Sequence, residues 1–185
     1  MFVNEISQDF ENPTNDTITD GQRQLSTPHL RFKGFTKLWT QQKLGQVADS
    51  VGTGRSHFSA GVEKSNDTPY AVLGSTSVIS YDGNFDHEGD FILTARVGAN
   101  AGSLYRYSGK VKISDNTVYM KGGNLDFMFH LLEKFDLKSL SFGTGQPLIK
   151  SSELRNLYLS YPSKSEQKVI GSFFRTLDDL IKQYS

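Results

Sequence analysis

The chain has no cysteine, so it can hold neither a disulfide framework nor a thiolate metal site. Its four histidines, His29, His57, His87 and His130, are scattered and never fall at the spacing of a zinc-binding helix. No apolar run approaches the length of a membrane span, and no apolar signal segment follows Met1; both absences point to a soluble, cytoplasmic protein without a membrane partner. Hydrophobic residues make up only 36% of 185 positions, which leaves part of the chain outside any core. Net charge is zero, but unevenly composed. Residues 1–30 carry five acidic side chains and one basic, while the remainder carries nineteen basic and fifteen acidic. A mildly basic domain suits a nucleic-acid partner without requiring one.

Residues 1–27 are polar, rich in Asn, Asp, Thr and Gln, and lack an apolar period, which predicts a disordered or loosely attached arm. A folded domain is expected over 28–162 and a helix over 163–185. Phe32, Phe35, Leu38 and Trp39 gather around Gly34 as an opening segment packed on the core. Gln42–Ser50 reads as a short helix or strand, followed by a glycine loop at Gly52–Gly54. Tyr70–Leu73 and Val78–Ile79 read as strands, and Asp82-Gly83 as a hairpin signal.

The central stretch is Arg96–Thr117. After the apolar run Phe91-Ile92-Leu93, Gly98 and Gly102 bracket small residues, the composition of a loop whose backbone approaches a partner closely. Val111 and Ile113 alternate with polar neighbours, Asp115-Asn116 forms a turn, and Val118 and Met120 begin the next strand. The pattern predicts a β-meander whose loops carry Arg96, Asn100, Lys112, Ser114, Asn116 and Thr117, residue types suited to phosphates and base edges. The same residues would serve to close an Asx turn and shape a hairpin.

Beyond Gly122-Gly123, Asn124 or Asp126 can cap a helix over Asp126–Phe135 whose stripe Phe127, Met128, Leu131, Leu132 and Phe135 faces the core. Gly143-Thr144-Gly145-Gln146-Pro147 lacks the ending of a P-loop and the spacing of a dinucleotide fingerprint, and reads equally as a turn. Ser151 or Ser152 caps a short turn, and Leu157, Leu159 and Tyr161 form a last strand. Ser163 and Glu166 have the spacing of a capping box. Ile170, Phe173, Leu177, Leu180 and Tyr184 then recur at coiled-coil spacing, an expected subunit interface. A helix this short is marginal alone, so it packs on its own domain or on a partner. The fold class expected is mixed α+β: a twisted, β-rich domain with packed helices, then a coiled-coil-like C-terminal helix.

Three stretches taken in order resemble a known family. They are Pro28–Phe35 continuing through Trp39 to Leu44-Gly45-Gln46-Val47; Arg96–Gly102 with Ser114-Asp115-Asn116-Thr117; and Gly143–Pro147 followed by Pro162 and Glu166–Ile170. They resemble the DNA-specificity (S) subunit of type I restriction–modification systems. That resemblance implies a target-recognition domain over 28–162 reading half of a bipartite site in double-stranded DNA. It also implies the start of a spacer helix that binds methyltransferase (M) subunits, and indirectly the motor-nuclease (R) subunit. The S subunit is non-catalytic and needs no cofactor of its own. Arg96, Asn100, Lys112, Ser114, Asn116, Thr144, Gln146 and Lys150 are the expected DNA contacts. A full S subunit has two recognition domains; this sequence has one, which reads as a half-subunit, a truncated product or a silent cassette. Self-pairing through the helix, giving a homodimer, would restore two. An autonomous methyltransferase is excluded on sequence: Asn12-Pro13-Thr14-Asn15 lacks the second proline and the aromatic of the catalytic motif. An interaction module that binds a methyltransferase subunit through its helix is the alternative.

Overall fold

The computed structural model describes residues 28, 30–141 and 147–184, together with the backbone of Phe10–Glu11 (β1), Thr19–Asp20 (β2) and Arg23–Gln24 (β3). Most of the arm expected to be disordered therefore lies outside the described residues. β1 pairs antiparallel with β4 (Arg31–Phe32), Phe10 opposite Phe32.

Six strands form the main sheet: β6 (Ser50–Thr53), β7 (Tyr70–Leu73), β8 (Val78–Asp82), β9 (His87–Ala95), β10 (Leu104–Ile113) and β11 (Thr117–Lys121). Their spatial order is β6-β11-β9-β10-β7-β8, and every pair is antiparallel except β10 with β7. β9 lies between two neighbours and is covered on both faces. Ile92 joins one core with Val51, Val118 and Met120, while Phe91 and Leu93 join another with Ala71, Leu73, Val111 and Ile113. Burial on both faces is why its sequence is a continuous apolar run rather than an alternation.

The first core is closed by helices. α1 (Leu44–Val47) supplies Leu44, α2 (Leu125–Phe135) supplies Phe127, Met128 and Leu132, and α3 (Ser151–Asn156) supplies Leu154. Asn124 caps α2, its side chain accepting from Phe127 N at 3.0 Å, as expected. A two-stranded sheet of β5 (Thr40–Lys43) and β12 (Tyr158–Tyr161) ties the start of the domain to its end. Among the described residues the second core takes no helix side chain: Val78, Tyr81, Tyr105, Tyr107 and Tyr119 pack against it from the sheet's own strands.

The sheet does this by coiling. Val111 of β10 lies opposite His87 and Thr117 of β11 opposite Ala95, about 26 Å apart along a straight β9, yet the Cα steps from Val111 to Thr117 reach about 23 Å at most. Gly89 and Gly109 face each other across the β9–β10 hairpin, both at φ +128°, where a side chain is strained. The hairpin bends there, and Tyr119 on β11 meets the rings of His87 at 5.0 Å and Phe91 at 6.2 Å.

Four expectations are corrected. The central strands are not a meander, because β11 takes the far side of β9 instead of pairing with β10. Asp82-Gly83 closes no hairpin: β8 is an edge strand, and Asp82 Oδ1 instead accepts from Asn84 N at 2.9 Å. Gly52 and Thr53 belong to β6 rather than to a loop. Ser151 caps nothing; it begins α3, where Glu153 accepts from Lys150 N at 3.3 Å.

The last helix, α4 (Lys164–Tyr184), crosses α2. Gly171 is buried there, and a Cβ would lie 2.9 Å from Asn124 Oδ1 and Phe127 N. Half of the predicted capping box forms: Ser163 Oγ accepts from Glu166 N at 3.3 Å. The Glu166 carboxylate does not reach back. It is 1% exposed and grips Arg31, with Nε at 2.6 Å and Nη2 at 2.7 Å, while Trp39 Nε1 donates at 3.4 Å. A guanidinium fork matches two carboxylate oxygens better than a lone backbone N–H does.

Candidate nucleic-acid interface

At one end of the main sheet the loops converge on the turn Ser114–Asn116. Ser114 N donates to Leu73 O at 2.9 Å, and Thr117 N donates back to Ser114 O at 3.2 Å. Beside it, Arg96 N donates to Asn116 O at 2.9 Å and Arg96 Nη1 to Asp115 O at 3.2 Å. Ser75 Oγ also donates to Asn116 O, at 3.2 Å. On the other side of Arg96, Ile149 N donates to Arg96 O at 2.8 Å and Gly98 N to Pro147 O at 3.2 Å, so the chain leaving the Gly143–Gln146 stretch is stitched to the loop after β9. That loop turns at Gly98 and Gly102, both at positive φ, and presents Asn100 at its exposed tip.

The predicted contacts separate into groups. Arg96 and Asn116 come together on this edge, and Asn100 stands at the exposed tip of the loop that follows Arg96. The carboxamides of Asn100 and Asn116 make no hydrogen bond among the described residues, so their paired donor and acceptor stay available. Arg96 is half-buried, and its Nε is buried without a partner. Ser114 is 3% exposed, its hydroxyl 3.2 Å from that of buried Thr117; it holds the turn rather than facing outward. Lys112 Nζ is also engaged, donating to His57 O at 2.7 Å and Asp82 Oδ2 at 2.8 Å. That ammonium, then the Asn84 N–H, holds the Asp82 carboxyl below its ordinary value of 3.8. Lys150 is exposed at the start of α3 and pairs with Glu153 at 3.4 Å. Thr144 and Gln146 lie outside the described residues.

The interface seam divides as well. Ile170 packs on the domain's own core, Phe173 meets the Phe32 ring at 5.5 Å, and Leu177 is half-buried. Leu180 and Tyr184 are 45% and 85% exposed. A hub that sequence reasoning did not find fixes the helix. Arg106 of β10 lies 3.9 Å over the Phe129 ring, pairs with Asp126 at 3.4 Å and Asp178 at 3.3 Å, and bonds His130 Nε2 at 3.0 Å. Arg175 joins Asp126 at 3.3 Å. A lone Arg in an alternating strand carries no sequence signal for such a role. No helix among the described residues is long and apolar enough to cross a membrane.

The comparisons with known proteins agree with this architecture. The type I restriction enzyme EcoprrI specificity subunit of Escherichia coli is 28% identical over 114 residues, covering 60% of this chain and 28% of that relative. Among solved structures, the type I restriction-modification S subunit from M. genitalium has a TM-score of 0.62 at 16% identity, covering 82% of this chain and 41% of that one. The HsdS subunit from Thermoanaerobacter tengcongensis has a TM-score of 0.58 at 16% identity, covering 97% and 43%. The likenesses to solved structures show a shared fold, and this chain spans less than half the length of each of these relatives. The family described as "Type I restriction modification DNA specificity domain" matches residues 36–184, most of the chain, and the chain belongs to it.

Proposed function

We propose that this protein is a non-catalytic DNA-reading component of a type I restriction–modification enzyme, working in the cytoplasm. Its one recognition domain reads half of a bipartite site and directs methyltransferase subunits to it. The observation that carries this reading is the joining of Arg96 to the Asp115-Asn116 turn at one end of the sheet, with Asn100 exposed on the adjoining loop and the carboxamides of Asn100 and Asn116 unengaged among the described residues. Asn matches the N6/N7 edge of adenine and Arg the O6/N7 edge of guanine in the major groove. Lys and Arg elsewhere on the surface would supply phosphate contacts, which position the domain without reading sequence. The exposed end of α4, with Leu180 and Tyr184, is the surface offered to a methyltransferase subunit, through which the motor-nuclease subunit is reached, or to a second copy of this chain.

The test is co-expression of the full chain with the methyltransferase subunit encoded beside it, followed by mapping of methylated positions. A defined motif that loses one specified base in N116A or N100A is the expected result. Absence of methylation at any defined motif, with the helix still capturing the methyltransferase subunit, would instead favour a module that binds through α4 without reading DNA.

A further inference from the structure

We infer that Arg55 is a specificity-determining contact of this edge, reading a base in the major groove; the inference rests on the DNA-reading function proposed above. Arg55 opens the connection from β6 to β7, residues 54–69, which has no helix or strand of its own. Connections of this length in a compact domain are uncommon and usually functional. This one is held in place at many points. Ser56 Oγ donates to Asp86 at 2.9 Å and accepts from Ile113 N at 2.8 Å, Lys112 Nζ donates to His57 O, and Ser80 Oγ donates to Ser59 O at 2.6 Å and accepts from Val62 N at 3.0 Å.

The two neighbours of Arg55 are clamped to the two sides of the converging turn. Gly54 N donates to Thr117 O at 2.9 Å and Ser56 N to Ile113 O at 3.1 Å, so Arg55 lies directly across from Ser114–Asn116. The approach is so close that a Cβ on Gly54 would collide with the carbonyl oxygens of Ile113 and Ser114. The other cations of this edge each have a partner within the domain: Arg96 Nη1 with Asp115 O, Lys112 with Asp82 and Lys150 with Glu153. Arg55 is exposed and makes no hydrogen bond or ion pair among the described residues. Its backbone neighbours are fixed on both sides and its planar guanidinium fork is unengaged among the described residues, so both arms are available for guanine O6 and N7. Lys112 then acts as a positioning residue, holding the loop through its carbonyl contact instead of touching DNA.

The experiment selects enriched sequences from a randomised duplex library with the full chain in complex with its methyltransferase subunit. It compares the unmodified protein with R55A, R55K and K64A, the last a change of equal charge at an exposed lysine on the same connection. R55A and R55K should both relax the motif at one position, where wrong bases gain about 10- to 100-fold relative to the selected one. K64A should keep the motif. If R55A and R55K enrich the unmodified protein's motif, or weaken binding uniformly as K64A does, the inference is overturned while DNA reading stands. If the unmodified protein enriches no motif, the DNA-reading function itself has failed, and this inference with it.

Discussion

Arg31 and Glu166 are the residues on which the helix and the opening segment depend. Both are almost fully buried, and Arg31 also donates to Lys37 O at 2.5 Å. Removing one partner of a buried pair strands the other charge, at a cost of about 3–5 kcal/mol. E166A should therefore lower the denaturation midpoint sharply, and R31M/E166L should recover much of the loss; recovery absent in the double variant would show that the pair does more than neutralise itself. The Asp82–Lys112 pair carries a pH signature. Because the folded carboxyl titrates below 3.8, its contribution is present above that value and is lost as pH falls through the lower folded value. K112M should flatten the acid limb of the stability profile and raise amide exchange at His57 and Ser59, read by NMR.

At the scale of elements, α4 has two halves. The first is keyed to α2 through Gly171, to the core through Ile170 and to β4 through Phe173; the second carries Leu180 and Tyr184 into solvent. G171L would wedge the helices apart, and overpacking of this kind costs about 1–3 kcal/mol, which a denaturant titration measures. L180D/Y184D should leave the fold and its melting temperature unchanged while abolishing helix-mediated association in sedimentation. Association that survives in this variant would place the interface elsewhere. Phe173 is a poor probe of the same question, because it is packed against Phe32 within the domain.

At the scale of the whole molecule, charge is the readable quantity. Residues 1–27 hold five acidic and one basic side chain, so deleting them leaves a net positive remainder. Non-specific binding to duplex DNA should tighten slightly on deletion. If about four to six phosphates are contacted, the affinity of either form should fall with salt at a logarithmic slope of about −4 to −5. An unchanged affinity and slope would mean that the arm lies away from the DNA-facing edge.

Local order was legible in the chain itself. The apolar run at Phe91–Leu93, the stripe from Phe127 to Leu132 with its Asn124 cap, and the strand before Pro162 and the helix after it stand where residue pattern put them, because each depends on neighbours within a few positions. The turn at Asp115-Asn116 was legible too, but neither its pairing with Arg96 nor the side of β9 on which it emerges was. Which residues face outward was decided only by the tertiary structure. Ser114 is buried, Lys112 is engaged and Arg55 is free because of contacts between positions 30 to 57 residues apart, formed when the sheet coils over the facing glycines Gly89 and Gly109. Glu166, placed by its spacing in a capping box, meets Arg31 from 135 positions away. A local pattern states what a residue can do; the fold determines which partner reaches it first.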